Sequence, residues 1–167
     1  MDSKKDFRVI VVCGAKKRGK STFIKIKLVS GYKGNLFIND VNNEYGDKGV
    51  VLPFKEFIAR SMKQWRTLNI FEDATIYLSN KGDSEELKHL MVLARHRANT
   101  IVFVFHSLQS IPSYILTQSD LLVLFKTTEN VGLIKNKFKY NVDILRAFVD
   151  VNNKTEPYAR VFVTLHP

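Results

Sequence analysis

The chain of 167 residues has little cysteine, little proline and no long apolar run. Cys13 is its one cysteine, so an internal disulfide is excluded, and no C-x-x-C pair is present to hold zinc. No apolar run reaches the ~20 residues of a membrane-spanning helix, and the charged residues 1–6 are unlike a secretory signal. We therefore expect an intracellular, cytoplasmic protein without a membrane span.

Acidic residues are also few, since 16 Asp and Glu stand against 26 Lys and Arg and leave a net charge of +10. This excess of positive charge favours a polyanionic partner or an acidic protein surface. Part of the charge belongs to one short segment, residues 16–20, so charge alone does not establish binding to nucleic acid.

Residues 14–21 match the phosphate-loop pattern G-x-x-x-x-G-K-[ST] and lie between an apolar run and a helix-like run. In this pattern, backbone N–H groups wrap the phosphates, Lys20 bridges β and γ oxygens, and Ser21 joins the Mg²⁺ shell. The positive end of the following helix dipole faces the same phosphates. The alternative is a glycine-rich turn that binds nothing. We predict binding of ATP and Mg²⁺ by Gly14, Ala15, Lys16, Lys17, Arg18, Gly19, Lys20, Ser21 and Thr22.

Strands and helices alternate along the predicted chain. Apolar runs predict strands at 7–13, 35–39, 67–71, 100–105, 120–125 and 160–164. Helical spacing predicts helices at 21–29, from Pro53 onward, and at 84–97, 131–138 and 142–149. The alternation predicts an α/β fold, a three-layer sandwich whose mostly parallel central sheet has helices on both faces, in a single domain over 1–167. We expect the polar stretch 40–48 to be a mobile loop near the nucleotide.

Two adjacent acids, Glu72 and Asp73, follow the predicted strand at 67–71. Carboxylates at the end of a buried strand are costly unless positive charge faces them. In a phosphate-loop protein that charge is Mg²⁺, so we expect Glu72 to hold the metal with Ser21 and Asp73 to orient or deprotonate the attacking water. An acidic pair that simply starts a loop is the alternative.

A polar pair, His106 and Ser107, follows the predicted strand at 100–105. The carboxyl ends of parallel strands lie at one edge of a sheet, where open α/β sheets bind ligands. We therefore expect the phosphate loop, the acidic pair and His106 to meet at one edge.

With these features, the chain resembles the FtsK/HerA superfamily of ATPases, in particular the small packaging ATPases of membrane-containing viruses and poxviruses, and also the zonula occludens toxin-like proteins of filamentous phages. The resemblance covers residues 7–127 and is most specific over 94–123, where an arginine-bearing helix end, an apolar strand, a polar strand end and a proline-containing crossing follow one another. By position, His106 stands where the family has its sensor glutamine and Arg95 where it has an arginine.

The resemblance implies the P-loop NTPase fold and an ATPase that forms a homo-oligomeric ring and translocates nucleic acid, above all double-stranded viral DNA into a capsid. The catalytic residues would be Lys20, Glu72, Asp73, His106 and Arg95, with Arg95 or Arg97 acting as an arginine finger on the next subunit. DNA would be held without base readout. A capsid or vertex protein is the expected recruiter, and the host cytoplasm or the virion the expected location.

The sequence departs from the family pattern at three places. The sensor is a histidine, so Ser107 and Gln109 stay open as alternatives. The acids are Glu-Asp instead of Asp-Glu, which shortens the presumed base. The cations at 16–18 are extra, and one could act on the γ-phosphate of its own subunit.

Two other functions stay open: a small nucleoside or nucleotide kinase, and a nucleotide-binding phage assembly protein. Against the kinase, no arginine-rich lid is visible between Phe125 and Asn141.

Overall fold

The computed structural model describes residues 8–40, 42–46, 48–78 and 85–165. Seven strands form one sheet in the order β3-β2-β4-β5-β1-β6-β7. All neighbouring strands are parallel except β7, which runs antiparallel to β6. The strands are β1 Val9–Cys13, β2 Asn35–Asn39, β3 Val50–Val51, β4 Thr67–Phe71, β5 Thr100–Phe105, β6 Leu121–Phe125 and β7 Arg160–Thr164.

The helices connect these strands across both faces of the sheet. The first, α1, continues directly into a π-helical segment at Lys25–Val29, and a short 3₁₀ turn spans Ala74–Ile76. The α-helices are α1 Lys20–Ile24, α2 Phe54–Lys63, α3 Glu85–His96, α4 Ser113–Gln118, α5 Val131–Lys137 and α6 Val142–Asn153. Among the described helices, none is long and apolar enough to cross a membrane.

The central strands are apolar on both faces because each face is covered. On β1, Val11 packs in a core built with residues of α2 to α6. Its neighbour Val12 faces the other way and packs with Ile24 and Val29 of α1 and the π-helical segment. Successive side chains of a strand point to opposite faces, so a strand between two layers reads as a continuous apolar run. The structure thus confirms the predicted mostly parallel sheet with helices on both faces.

Most predicted elements recur, but two short ones were missed. The prediction had no strand at β3, whose two residues are too few for alternation to be visible. It also treated the chain after Pro112 as a connection, although α4 begins directly after this proline. Proline suits the start of a helix because it has no N–H to leave unbonded. Phe7 and Ser84, predicted as the first residues of β1 and α3, lie outside the described residues.

The strand order determines which loops become neighbours. In the sheet, β5 lies between β4 and β1, and all three are parallel. The segments that follow their carboxyl ends are the phosphate loop after β1, the acidic pair after β4 and His106 after β5. These three segments therefore meet at one edge of the sheet.

Candidate nucleotide-binding site

The phosphate loop is fixed by the backbone at its two glycines. The N–H of Gly14 donates to Phe105 O at 3.2 Å, and the N–H of Ala15 donates to Lys126 O at 2.9 Å. A Cβ on Gly14 would lie 2.6 Å from Cβ of Phe125, so no larger residue fits there. Gly19 precedes α1 with φ 87°, a conformation that glycine adopts without strain. Both glycines of the motif are thus required by the loop's shape.

Lys20 points back across the loop that it follows. Its Nζ donates to Gly14 O at 2.8 Å and to Ala15 O at 3.0 Å, and it lies 3.1 Å from Nδ1 of His106. Burial lowers the pKa of this amine. The ammonium is therefore held at the mouth of the loop, beside the end of β5.

Glu72 is the buried acid of the pair, with 2% of its surface exposed. The hydroxyl of Ser21 donates to Oε1 at 3.2 Å, and the phenol of Tyr45 donates to Oε2 at 2.7 Å. Burial raises the pKa of Glu72 to about 7, and the hydrogen bonds from Tyr45 and Ser21 oppose that rise. Ser21 and Glu72, predicted as a metal-binding pair, are thus in direct contact.

Asp73 and His106 complete a chain of polar side chains that starts at Lys20. Asp73 Oδ2 lies 3.6 Å from Nε2 of His106. A lysine ammonium can only donate, so Nδ1 of His106 is the acceptor and the ring proton lies on Nε2, toward Asp73. Burial, and then the charge of Lys20, lowers the pKa of His106. The imidazole is consequently neutral at pH 7, and its contact with Asp73 is not a full ion pair.

These residues surround a cavity of about 600 Å³. The predicted loop at 40–48 borders it through Asn42 and Glu44, and Tyr158 closes it on another side. Neither Tyr45 nor Tyr158 was predicted, because each comes from a stretch with no motif. The full lining is Lys16, Lys17, Arg18, Gly19, Lys20, Ser21, Thr22, Asn42, Glu44, Glu72, His106 and Tyr158.

An acid that the sequence analysis did not single out, Glu129, bonds the segment that carries the two alternative sensor residues. Glu129 accepts hydrogen bonds from the hydroxyl of Ser107 at 2.7 Å and from the N–H of Gln109 at 2.8 Å. Lys137 donates to the carbonyl oxygens of the same segment, including Gln109 O at 2.6 Å. Of the three sensor candidates, His106 is the one whose side chain contacts Lys20.

The two predicted finger arginines lie at the opposite edge of the sheet. Arg95 pairs with Asp120 at 2.7 Å, and the other oxygen of Asp120 accepts the N–H of Val9, the first residue of β1. The guanidinium of Arg97 lies 5.8 Å from the ring centre of Trp65. Because the phosphate loop follows the end of β1, neither arginine belongs to the site of its own chain.

Comparisons with known proteins show the fold. No protein-family model matches the chain, and no curated protein matches it. Among solved structures, the genome packaging NTPase B204 of Sulfolobus turreted icosahedral virus 2 with ATP-gammaS matches at a TM-score of 0.79 and 20% identity, over 96% of this chain and 93% of that chain. Its AMP complex matches at 0.74 and 19%, over 96% and 94%.

The DNA-packaging ATPase B204 of Sulfolobus turreted icosahedral virus is similar too, at a TM-score of 0.73 and 15% identity, over 98% of this chain and 94% of that chain. These likenesses confirm, at the level of the fold, the resemblance to viral packaging ATPases expected from the sequence. The chain has the P-loop NTPase fold in the form that the B204 structures take.

Proposed function

We propose that this protein hydrolyses ATP with Mg²⁺. One observation carries the proposal: Lys20 and Ser21 of the phosphate loop line one cavity together with Glu72 and His106 from two distant segments, and Asp73 lies next to His106. A structural turn would need none of these side chains, whereas triphosphate hydrolysis commonly uses a lysine on the phosphates, oxygen ligands for Mg²⁺ and a residue that orients water.

The donor set suits Mg²⁺ bound together with a nucleotide. Within the described ranges, no group of three or more His, Cys, Asp or Glu side chains could hold a metal alone. The hydroxyl of Ser21 and the carboxylate of Glu72 are hard oxygen ligands, and Mg²⁺ in proteins commonly takes one or two such ligands plus phosphate and water oxygens. Bound there, Mg²⁺ would neutralise charge on the β and γ phosphates.

Three side chains of the protein would carry out the remaining steps: phosphate binding, positioning of water and detection of the γ-phosphate. Lys20 would exchange its bonds to Gly14 O and Ala15 O for β and γ oxygens, because phosphate oxygens are stronger acceptors for an ammonium. Asp73 would accept a proton from, or orient, the attacking water. His106 would detect the γ-phosphate through its contact with Lys20.

We further propose that the enzyme works as a ring-forming motor that moves double-stranded DNA, as packaging of a viral genome requires. The fold shared with B204 and the net charge of +10 support this role. So does the location of Arg95: an arginine at the far edge of the sheet can reach a nucleotide only in another copy. A head-to-tail contact brings opposite edges of two subunits together, and it forms a ring when the rotation between subunits closes.

The test is ATP hydrolysis measured with and without double-stranded DNA over a series of protein concentrations, with Lys20→Ala as the inactive reference. We expect activity per subunit to rise with concentration and with DNA. Phosphate transfer to a nucleoside acceptor would instead establish the kinase, and nucleotide binding without turnover the assembly protein. Wild-type rates in Lys20→Ala would contradict the phosphate-loop mechanism itself.

A further inference from the structure

A second, more apolar cavity adjoins the phosphate cavity. It has a volume of about 380 Å³ and shares Gly19, Thr22 and Tyr158 with the first. Because the two cavities have these residues in common, a molecule bound in one can extend into the other. The remaining lining residues are Phe23, Ile26, Lys27, Phe125 and Arg160.

Tyr158 is the exposed aromatic residue at this junction. It is 62% exposed, and its Cδ1 atom lies 3.2 Å from the position that a Cβ on Gly19 would occupy. The ring therefore flanks the last glycine of the phosphate loop while leaving much of its surface open. Ile26 nearby is also largely exposed. Covering such apolar surface with the apolar face of a ligand is favourable.

The direction in which a triphosphate would lie in the phosphate cavity indicates which part of the ligand reaches the exposed apolar surface at Tyr158. Glu72 and His106 mark the γ-phosphate end of the phosphate cavity, next to Lys20. Tyr158 and Thr22 lie where the two cavities join, so the nucleoside end of the ligand leaves the loop toward the apolar cavity. A planar base is apolar on its faces and polar at its edge, which fits a pocket with an aromatic wall and few polar groups.

We propose that the apolar cavity holds the base of a purine nucleoside triphosphate, stacked on Tyr158. This inference rests on the proposed triphosphate site and adds its base specificity. Stacking of a base on an aromatic side chain changes affinity by about 5- to 150-fold. A purine presents a larger face than a pyrimidine, so purine nucleotides should bind more tightly.

The cationic side chains that line the apolar cavity influence whether it prefers adenine or guanine. Arg160 lines the cavity with a guanidinium that can only donate hydrogen bonds and that lies 5.2 Å from the ring centre of Phe23. Lys27, the other cation of the lining, can also only donate. Guanine offers O6 and N7 as adjacent acceptors to such groups, whereas adenine offers N7 beside a donor. The cavity therefore accepts GTP at least as well as ATP.

The experiment compares binding of Mg²⁺-tripolyphosphate, ATP, GTP and CTP by titration calorimetry. Tripolyphosphate has no base, so it reports on the phosphate loop alone. The variants are Tyr158→Ala, Tyr158→Phe, which keeps the ring, and Tyr140→Ala, an exposed tyrosine that lines neither cavity.

We expect Tyr158→Ala to raise the Kd of ATP and GTP by about 5-fold or more and to leave tripolyphosphate unchanged. Tyr158→Phe and Tyr140→Ala should bind like the wild type, and GTP should bind no more weakly than ATP. Equal effects of Tyr158→Ala on tripolyphosphate and nucleotides, or none on nucleotides, would overturn the stacking. A clear preference for ATP over GTP would overturn the role of Arg160. If the wild type bound neither tripolyphosphate nor nucleotides, the proposed function would fail and this inference with it.

Discussion

The phenol of Tyr45 donates a 2.7 Å hydrogen bond to Glu72, whose carboxylate also accepts a hydrogen bond from the hydroxyl of Ser21. Tyr45 is itself buried, and Oδ2 of Asp40, the residue that follows β2, accepts its backbone N–H at 3.0 Å. Groups that hydrogen-bond a metal-holding carboxylate orient it. Tyr45 thus connects the loop after β2 to the proposed Mg²⁺ site as a positioning residue.

Tyr45→Phe should raise the Mg²⁺ concentration that half-maximal ATP hydrolysis requires, without abolishing nucleotide binding. Loss of the hydrogen bond leaves one oxygen of Glu72 without its donor, and loss of such a partner typically lowers metal affinity or activity by about 10- to 100-fold. The measurement is the hydrolysis rate against Mg²⁺ concentration, with Tyr140→Phe as the control. An unchanged Mg²⁺ midpoint in Tyr45→Phe would remove Tyr45 from this role.

The stability of the protein without nucleotide and Mg²⁺ should fall between pH 5 and pH 8 because of Glu72. The pKa of this acid is about 7 in the folded protein against an ordinary value of 4.5, so folding favours its protonated form. That contribution is complete below pH 4.5 and is lost as pH rises through 7, by roughly 3 kcal/mol at most.

Glu72→Gln should remove this loss, which urea unfolding of both proteins at pH 5 and pH 8 measures. The lowered pKa of His106 acts in the other direction, since its contribution is lost as pH falls below 6.5. Because both proteins keep His106, its effect cancels in their difference. Parallel stability curves for the two proteins would contradict the assignment to Glu72.

Asp73→Asn and His106→Ala should keep nucleotide binding and lose most turnover, since neither holds the phosphates. Ser107→Ala should reduce the rate by less than about fivefold, because Ser107 bonds Glu129 and not Lys20. Single-turnover hydrolysis and nucleotide affinity separate the two kinds of effect. A larger defect in Ser107→Ala than in His106→Ala would transfer the sensor role to Ser107.

Arg95→Ala should be inactive alone and active in a mixture with Lys20→Ala. In the mixture, Arg95→Ala supplies an intact phosphate loop and Lys20→Ala an intact finger, and a finger contributes about 10³ to 10⁵ in rate. The ion pair of Arg95 with Asp120 is half exposed, so its loss should cost the fold less than about 1 kcal/mol.

The same mixture with Arg97→Ala decides which arginine acts, and we prefer Arg95 from its place in the family pattern. The measurement is the rate of ATP hydrolysis at constant total protein. No recovery of activity with either arginine variant, together with a rate per subunit that does not change on dilution, would contradict the ring and favour a monomeric enzyme.

Much of the fold was predictable because its signals are local. The bounds of β2, β4, β5 and β7 agree with the predicted strands, since each is an apolar run ended by polar residues or glycine. The helix α4 escaped prediction because six residues are too few to repeat a helical spacing. The convergence of the phosphate loop, the acidic pair and His106 was predictable because the carboxyl ends of parallel strands lie at the same edge of a sheet.

The sequence by itself determined the phosphate loop, because backbone conformation and side-chain chemistry there depend on residues within one short segment. It also determined Glu72, Asp73 and His106 as strand-end residues, since apolar runs mark where buried strands stop. Only the tertiary structure decided that Tyr45 bonds Glu72 and that Tyr158 flanks Gly19. Those contacts join residues far apart in the chain, and no spacing encodes them. The tertiary structure likewise decided that Arg95 lies across the sheet from the nucleotide site of its own chain. The position of a helix end depends on where the strand that follows it lies in the sheet.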